Sequence, residues 1–167
     1  LDNCFYRCRI PEKYWEYMGL PVVRVGDLEL TPGEREDIGV KDVGGEEEWH
    51  PVMCVLPIGW SHSPLVAQEA HENLLGAHSE LVEESRLRKS KPWRRRRRIH
   101  FCYIDDTVVA AFGPRRDRAR LEARCNKMMG TALAAYERAG IPVKPEKVKA
   151  ASTLMVVLGL RVGGEGG

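Results

Sequence analysis

Nothing in this sequence approaches the ~18 uninterrupted apolar residues that a membrane-spanning helix takes, so no membrane partner is expected. The start of the chain has no basic segment followed by an apolar one, so a secretory leader is not expected either. The sequence leaves the location open, with cytoplasm or nucleus expected rather than secretion. The five cysteines (Cys4, Cys8, Cys54, Cys102 and Cys125) contain no Cys-x-x-Cys pair, and their odd number suits reduced thiols. Cys4 and Cys8, then His50 and Cys54, do repeat a four-residue offset, and such soft ligands could close a tetrahedral zinc site if the segments met. Buried thiols acting as small hydrophobes are the simpler account. An excess of one charge is also missing: 26 Lys and Arg stand against 24 Asp and Glu, a formal net charge of +2. Total charge therefore points to no polyanionic partner.

What remains is an ordinary globular balance, 43% apolar and 30% charged over 167 residues. A chain this long buries roughly 70% of its unfolded surface, enough for one domain. Pro11 and Glu12 open a short helix-like stretch to Met18. Val23, Val25, Leu28 and Leu30 flank Gly26-Asp27, which predicts a hairpin turn. Residues 31–50 are rich in Gly and Glu and read as an exposed loop insertion. Val52 to Leu56 suits a short buried strand. Ser63-Pro64 predicts a helix start, with the Ser63 hydroxyl as cap and an apolar stripe of Val66, Ala70, Leu74 and Leu81 running to about Ser85.

Residues 86–98 form a second expected loop insertion, carrying nine cations in thirteen positions and ending in Arg94, Arg95, Arg96, Arg97 and Arg98. Ile99 to Ala111 is strand-like apart from Asp105-Asp106. A long helix is expected from about Arg115 to Arg138, with Leu121, Met128, Ala132 and Ala135 inward and Gly140 as its stop. Leu154 to Val162 forms a last strand, and residues 163–167 a flexible tail. The fold class is therefore α+β: an antiparallel sheet with two main helices packed on one face.

The chemistry concentrates at Tyr103-Ile104-Asp105-Asp106. Adjacent carboxylates between Ile99, Phe101, Val108 and Val109 repel one another, and burial raises the cost. They are either a solvated hairpin turn or a site where a hard divalent cation relieves the repulsion. Successive strand residues point to opposite faces, so one Asp would dominate coordination.

The surrounding motifs favour the cation. Leu56-Pro57-Ile58-Gly59-Trp60-Ser61-His62-Ser63-Pro64, with Gln68 beyond, precedes the acidic pair. After it come Gly140-Ile141-Pro142-Val143-Lys144-Pro145-Glu146-Lys147 and then Leu158-Gly159. Together these resemble the palm domain of reverse transcriptases, the RNA-directed DNA polymerases of retroelements and retroviruses. There Leu-Pro-x-Gly and Ser-Pro precede a Tyr-x-Asp-Asp hairpin, followed by a Pro-x-Lys loop and a Leu-Gly primer-grip strand. The resemblance, of retrotransposon type, covers residues 1–162 and implies a polymerase palm-like fold.

It also implies template-directed nucleotidyl transfer by two metal ions, Mg2+ or Mn2+, which activate the primer 3′-hydroxyl and stabilise the leaving pyrophosphate. Asp105 and Asp106 would be the catalytic metal ligands. Phe5, Ile58, Gly59 and Lys147 would meet the nucleotide, with Phe5 under its sugar and Lys147 near the triphosphate. Ile58 stands where retroviral enzymes carry Gln. Tyr103, Ile104, Pro57, Leu158 and Gly159 would meet primer or template, and the run from Arg94 to Arg98 would add nucleic-acid contact by counterion release. The implied partners are an RNA/DNA template-primer and deoxynucleoside triphosphates, with fingers and thumb segments as possible further partners. In this register the family's first catalytic Asp would fall just before Leu1, and the fingers strands are missing. The expectation is thus a truncated palm fragment, inactive alone. The alternative is a non-catalytic nucleic-acid-binding remnant of a retroelement.

Overall fold

The computed structural model describes residues 4–88 and 97–163. They are α+β with short antiparallel ribbons, as the pattern of apolar residues predicts. Contacts divide the chain into two compact units, one spanning Phe5–Trp60 and the other holding Cys4 together with the residues from Ser61 onward.

The first unit takes all but the first residue of the turn α1 (Cys4–Arg7), followed by a 3-10 turn over Glu12–Tyr17. The predicted hairpin about Gly26-Asp27 does not form. Strand β1 (Val23–Arg24) instead pairs antiparallel with β2 (Glu48–Trp49), from the far end of the presumed loop. The reason is a close backbone approach. The Gly26 N–H donates to the Gly45 carbonyl at 2.8 Å, and a Cβ on Gly26 would sit 2.9 Å from that oxygen. Residues 31–50 are accordingly no simple exposed loop. They hold α2 (Pro32–Asp37), started by a reciprocal Thr31–Glu34 capping box, and the fully buried Val40.

The expected buried strand from Val52 to Leu56 is extended but half-exposed. It pairs through the single bridges Val52–Gly19 and Val55–Arg9, and of its residues only Leu56 is buried.

The second unit is built on α3 (Ser63–His78), the hairpin of β3 (Arg98–Tyr103) and β4 (Asp106–Ala111), and α4 (Arg118–Arg138). A second hairpin, β5 (Leu154–Val157) with β6 (Leu160–Gly163), follows. So the last segment is two strands rather than one, and the ribbons stay two-stranded rather than joining into one sheet among the described residues. Both long helices pack on one face of the β3–β4 ribbon, the expected arrangement. Leu75, Leu81, Met128, Ala132, Ala135 and Tyr136 form the core, with Cys102 and Val109 against it.

Two details of α3 depart from expectation. His62, not Ser63, occupies the N-cap position, with Ser63 already helical and buried. The buried stripe is Ser63, Ala67, His71 and Leu75, one position out of step with Val66, Ala70 and Leu74. Apolar periodicity misplaces the face because two of its four residues are polar. The helix also stops at His78 instead of Ser85. Ser79 turns extended, and both its N–H and its hydroxyl donate to the Leu75 carbonyl, at 3.0 and 2.6 Å.

At its described ends, the expected insertion at 86–98 is bonded into the fold. Arg86 pairs with Glu72 and Glu83 and bridges in parallel to His100. Residues 89–96, including Arg94, Arg95 and Arg96, lie outside the described residues, as does the tail from 164.

Two measurements test this packing. Truncating Leu75 to Ala at its 2% exposed site should cost about 2–5 kcal/mol in urea unfolding. The second concerns His100, buried on β3, whose Nδ1–H donates to the Ser85 hydroxyl at 2.9 Å. Burial, with the Arg86 guanidinium nearby, lowers its pKa from 6.5 to about 4. The unfolded chain then binds the extra proton first. Stability should fall as pH drops from 6.5 towards about 4 and level off below, and His100→Asn should flatten that slope.

Candidate active site

The Tyr-Ile-Asp-Asp segment is the tip of the β3–β4 hairpin. Tyr103 pairs with Asp106, Phe101 with Val108 and Cys102 with Thr107, which leaves Ile104 and Asp105 as the two-residue turn. Strand alternation sorts the side chains. His100, Cys102, Thr107 and Val109 face the helices. Tyr103 and Asp106 lie on the opposite, exposed face, with Asp105 half-buried at the turn.

Ile104 has a φ of 52°, the left-handed region that costs a residue with a Cβ roughly 1–2 kcal/mol. Among the described residues, only Leu158, at φ 48°, shares that conformation without being glycine. Leu158 and Gly159, at φ 78°, form the tight turn of the β5–β6 hairpin. Backbone strain thus singles out two turns that the motifs also single out.

Helix α3 supplies what holds the first turn. The Ile104 N–H donates to Gln68 Oε1 at 2.6 Å, and Gln68 Nε2 donates to the Cys102 carbonyl at 2.9 Å. His71 Nδ1 lies 2.7 Å from the Ile104 carbonyl. A carbonyl only accepts, so Nδ1 carries the proton and Nε2 is the acceptor. Tyr136 Oη stands 2.6 Å and Thr107 Oγ1 3.0 Å from Nε2, and the two hydroxyls also contact each other. Burial lowers the His71 pKa below its ordinary value, opposed by the Ile104 carbonyl and the Asp105 and Asp106 charges. Burial likewise raises the Tyr136 phenol and the Cys102 thiol. Uncharged His71 and Tyr136 therefore form a neutral polar network behind the acidic tip.

The other candidate residues fall as follows. Phe5 is half-buried in α1. Pro57, Ile58 and Gly59 form a turn closed by the Trp60 N–H to the Pro57 carbonyl at 3.3 Å. Gly59 takes a φ of 96° there, with open space around its Cβ position. Its lack of a side chain thus answers the turn's conformation. Ile58 is 65% exposed. These four lie in the first unit. Lys147 lies in the second, exposed on the turn Pro145–Lys147, and Leu158 and Gly159 are exposed at the other hairpin tip. Arg97 and Arg98 are exposed at the start of β3, with the Arg97 carbonyl accepting from Phe112 N–H.

His71, Thr107 and Tyr136 are the members that reading the sequence for function misses. A signal existed in the spacing of Gln68 and His71, three apart on one helix face.

Two adjacent carboxylates are hard oxygen donors, the type that Mg2+ or Mn2+ takes. Among the described residues, no group of three or more His, Cys, Asp or Glu side chains is placed to hold a metal ion. All five cysteines are free, with Cys4 buried and Cys54 exposed. No helix among the described residues is long and apolar enough to cross a membrane.

Residues 1–162 match the reverse transcriptase (RNA-dependent DNA polymerase) family, and the chain belongs to that family. No curated protein and no solved structure matches it significantly. Enzymes of the family work with divalent metal ions and bind a nucleic-acid template and deoxynucleoside triphosphates.

The Gln68 clamp has a measurable consequence. Gln68→Leu strips two bonds from the strained turn and leaves the Ile104 N–H unpaired, and should cost about 1–3 kcal/mol in urea unfolding.

Proposed function

We propose that this chain is palm machinery of an RNA-directed DNA polymerase of retrotransposon type, with Asp105 and Asp106 as the carboxylates that hold Mg2+ or Mn2+ during nucleotidyl transfer. The observation that carries this reading is the pair's position. Both acids sit at the tip of a two-stranded ribbon whose strained turn is bonded to a helix from behind.

A carboxylate pair held this way keeps its repulsion at the exposed end of the ribbon, where a cation relieves it. When bound there, such an ion acts as a Lewis acid, easing loss of the primer hydroxyl proton and offsetting charge on the pyrophosphate. The chain's own work is positional. The turn fixes Asp105, the first residue of β4 presents Asp106 on the face away from the helices, and exposed Tyr103 beside it offers a ring to the primer end. The exposed turns at Ile58-Gly59 and Leu158-Gly159 suit nucleotide and primer, and Lys147 suits a triphosphate. Phe5 beneath the sugar would favour deoxynucleotides, because an aromatic there clashes with a 2′-hydroxyl.

Two carboxylates supply only part of the six or so oxygen ligands of a hard cation. We therefore expect the 167-residue chain to bind the ion but not to extend a primer by itself. Primer extension on an RNA template with Mg2+ or Mn2+ should show no product, whereas robust Asp105-dependent product would contradict the inactivity. Manganese binding, followed by electron paramagnetic resonance, should be lost in Asp105→Asn plus Asp106→Asn. Unchanged binding in that variant would sink the reading of the pair as metal ligands. The alternative, a non-catalytic nucleic-acid binder, predicts template-primer affinity that survives this double substitution and fades when Arg94 to Arg98 are neutralised.

A further inference from the structure

We propose that His71 is a positioning residue: its imidazole, locked by the Tyr136 and Thr107 hydroxyls, fixes the Ile104 carbonyl and thereby the direction in which Asp105 and Asp106 present their oxygens. The consequence for metal rests on the reading of the pair as metal ligands, whereas the fixing of the turn does not.

The argument begins with strain. Ile104 is β-branched and sits at φ 52°, so this turn persists only if its surroundings over-determine it. Gln68 takes the Ile104 N–H, but a single bond leaves the peptide plane that follows free to rotate about ψ. That plane joins Ile104 to Asp105, and its oxygen is what His71 Nδ1–H grips at 2.7 Å. Holding both ends of Ile104 fixes the backbone leading into the acidic pair.

The grip depends on which ring nitrogen carries the proton. Only the Nδ1–H tautomer donates to the carbonyl, and that tautomer needs a donor facing Nε2. The Tyr136 hydroxyl on α4, at 2.6 Å, supplies it, and the Thr107 hydroxyl on β4, 3.0 Å from the same nitrogen, also contacts Tyr136 Oη and completes the cluster. Thr107 adjoins Asp106 but faces the other way, so one strand residue presents the acid and its neighbour locks the support. His71 is 3% and Tyr136 3% exposed, so the bond between them is shielded from water. Residues that orient a metal ligand without touching the ion typically change its affinity about 10- to 100-fold when removed.

The test uses the 167-residue chain. Amide exchange is read at Ile104 to Thr107, Mn2+ affinity by electron paramagnetic resonance, and global stability by urea. His71→Leu keeps the packing volume roughly and loses the donor. It should speed exchange at those amides about tenfold beyond the change at Phe101 and Val108, and weaken Mn2+ binding by about tenfold or more. His71→Asn places an amide N–H where Nδ1 stood and should restore both to within about threefold of wild type. A histidine that merely fills space would not be rescued this way, since Asn is smaller than Leu.

Wild-type tip exchange in a folded His71→Leu chain overturns the proposal, and so does failure of His71→Asn to rescue. Should His71→Leu not fold, Thr107→Val with Tyr136→Phe removes both hydroxyls and leaves the imidazole. Faster tip exchange in that folded double variant supports the proposal, and unchanged exchange refutes it. If the wild-type chain binds no Mn2+, or binds it regardless of Asp105→Asn, the metal-ligand reading fails while tip exchange still judges His71.

Discussion

A hairpin turn that holds a branched residue in the left-handed region has to be supported from outside itself, and here the support is the main chain of Ile104. Its N–H and its carbonyl both end on side chains of one helix, Gln68 and His71. Helix α3 and the β3–β4 ribbon meet at that residue, and α4 joins them through Tyr136, which contacts His71 and Thr107. The core of Leu75, Met128, Ala132 and Tyr136 keeps the helices in register with the ribbon. On the proposal made for His71, those two bonds set the direction of the acidic pair.

Polar residues buried behind the tip serve this end better than apolar ones could. An apolar face would pack the ribbon equally well, yet would leave the turn's N–H and carbonyl unpaired, and each unpaired buried group costs about 1–3 kcal/mol. The network is also neutral. Burial keeps His71 uncharged and Tyr136 protonated, so these two groups add no charge of their own behind the tip. On the proposed reading, a cation approaching the tip meets Asp106 on the exposed face and half-buried Asp105 at the turn.

The readable parts of the chain were those governed by local rules. The apolar run broken at Asp105-Asp106 located the ribbon, although the turn itself lies one residue earlier, at Ile104-Asp105. The inward residues of α4 were legible for the same reason, since Met128, Ala132 and Ala135 keep helical spacing. Reading failed where partners are distant or polar. Strand β1 pairs across the intervening segment with β2 because Gly26 and Gly45 allow two backbones to touch, and no local pattern reports that. The buried stripe of α3 was set one residue off, because Ser63 and His71 look like surface residues until their partners are known.

The order of motifs determined the family, the acidic pair and the ribbon that carries it, because those depend on residue type and near-neighbour spacing. Which residues hold that ribbon was decided only by tertiary structure. His71, Thr107 and Tyr136 lie 29 to 65 positions apart along the chain. Hydrogen bonds among polar side chains leave no periodic trace in sequence, since any of several donors could satisfy a buried carbonyl and only packing selects the one that does.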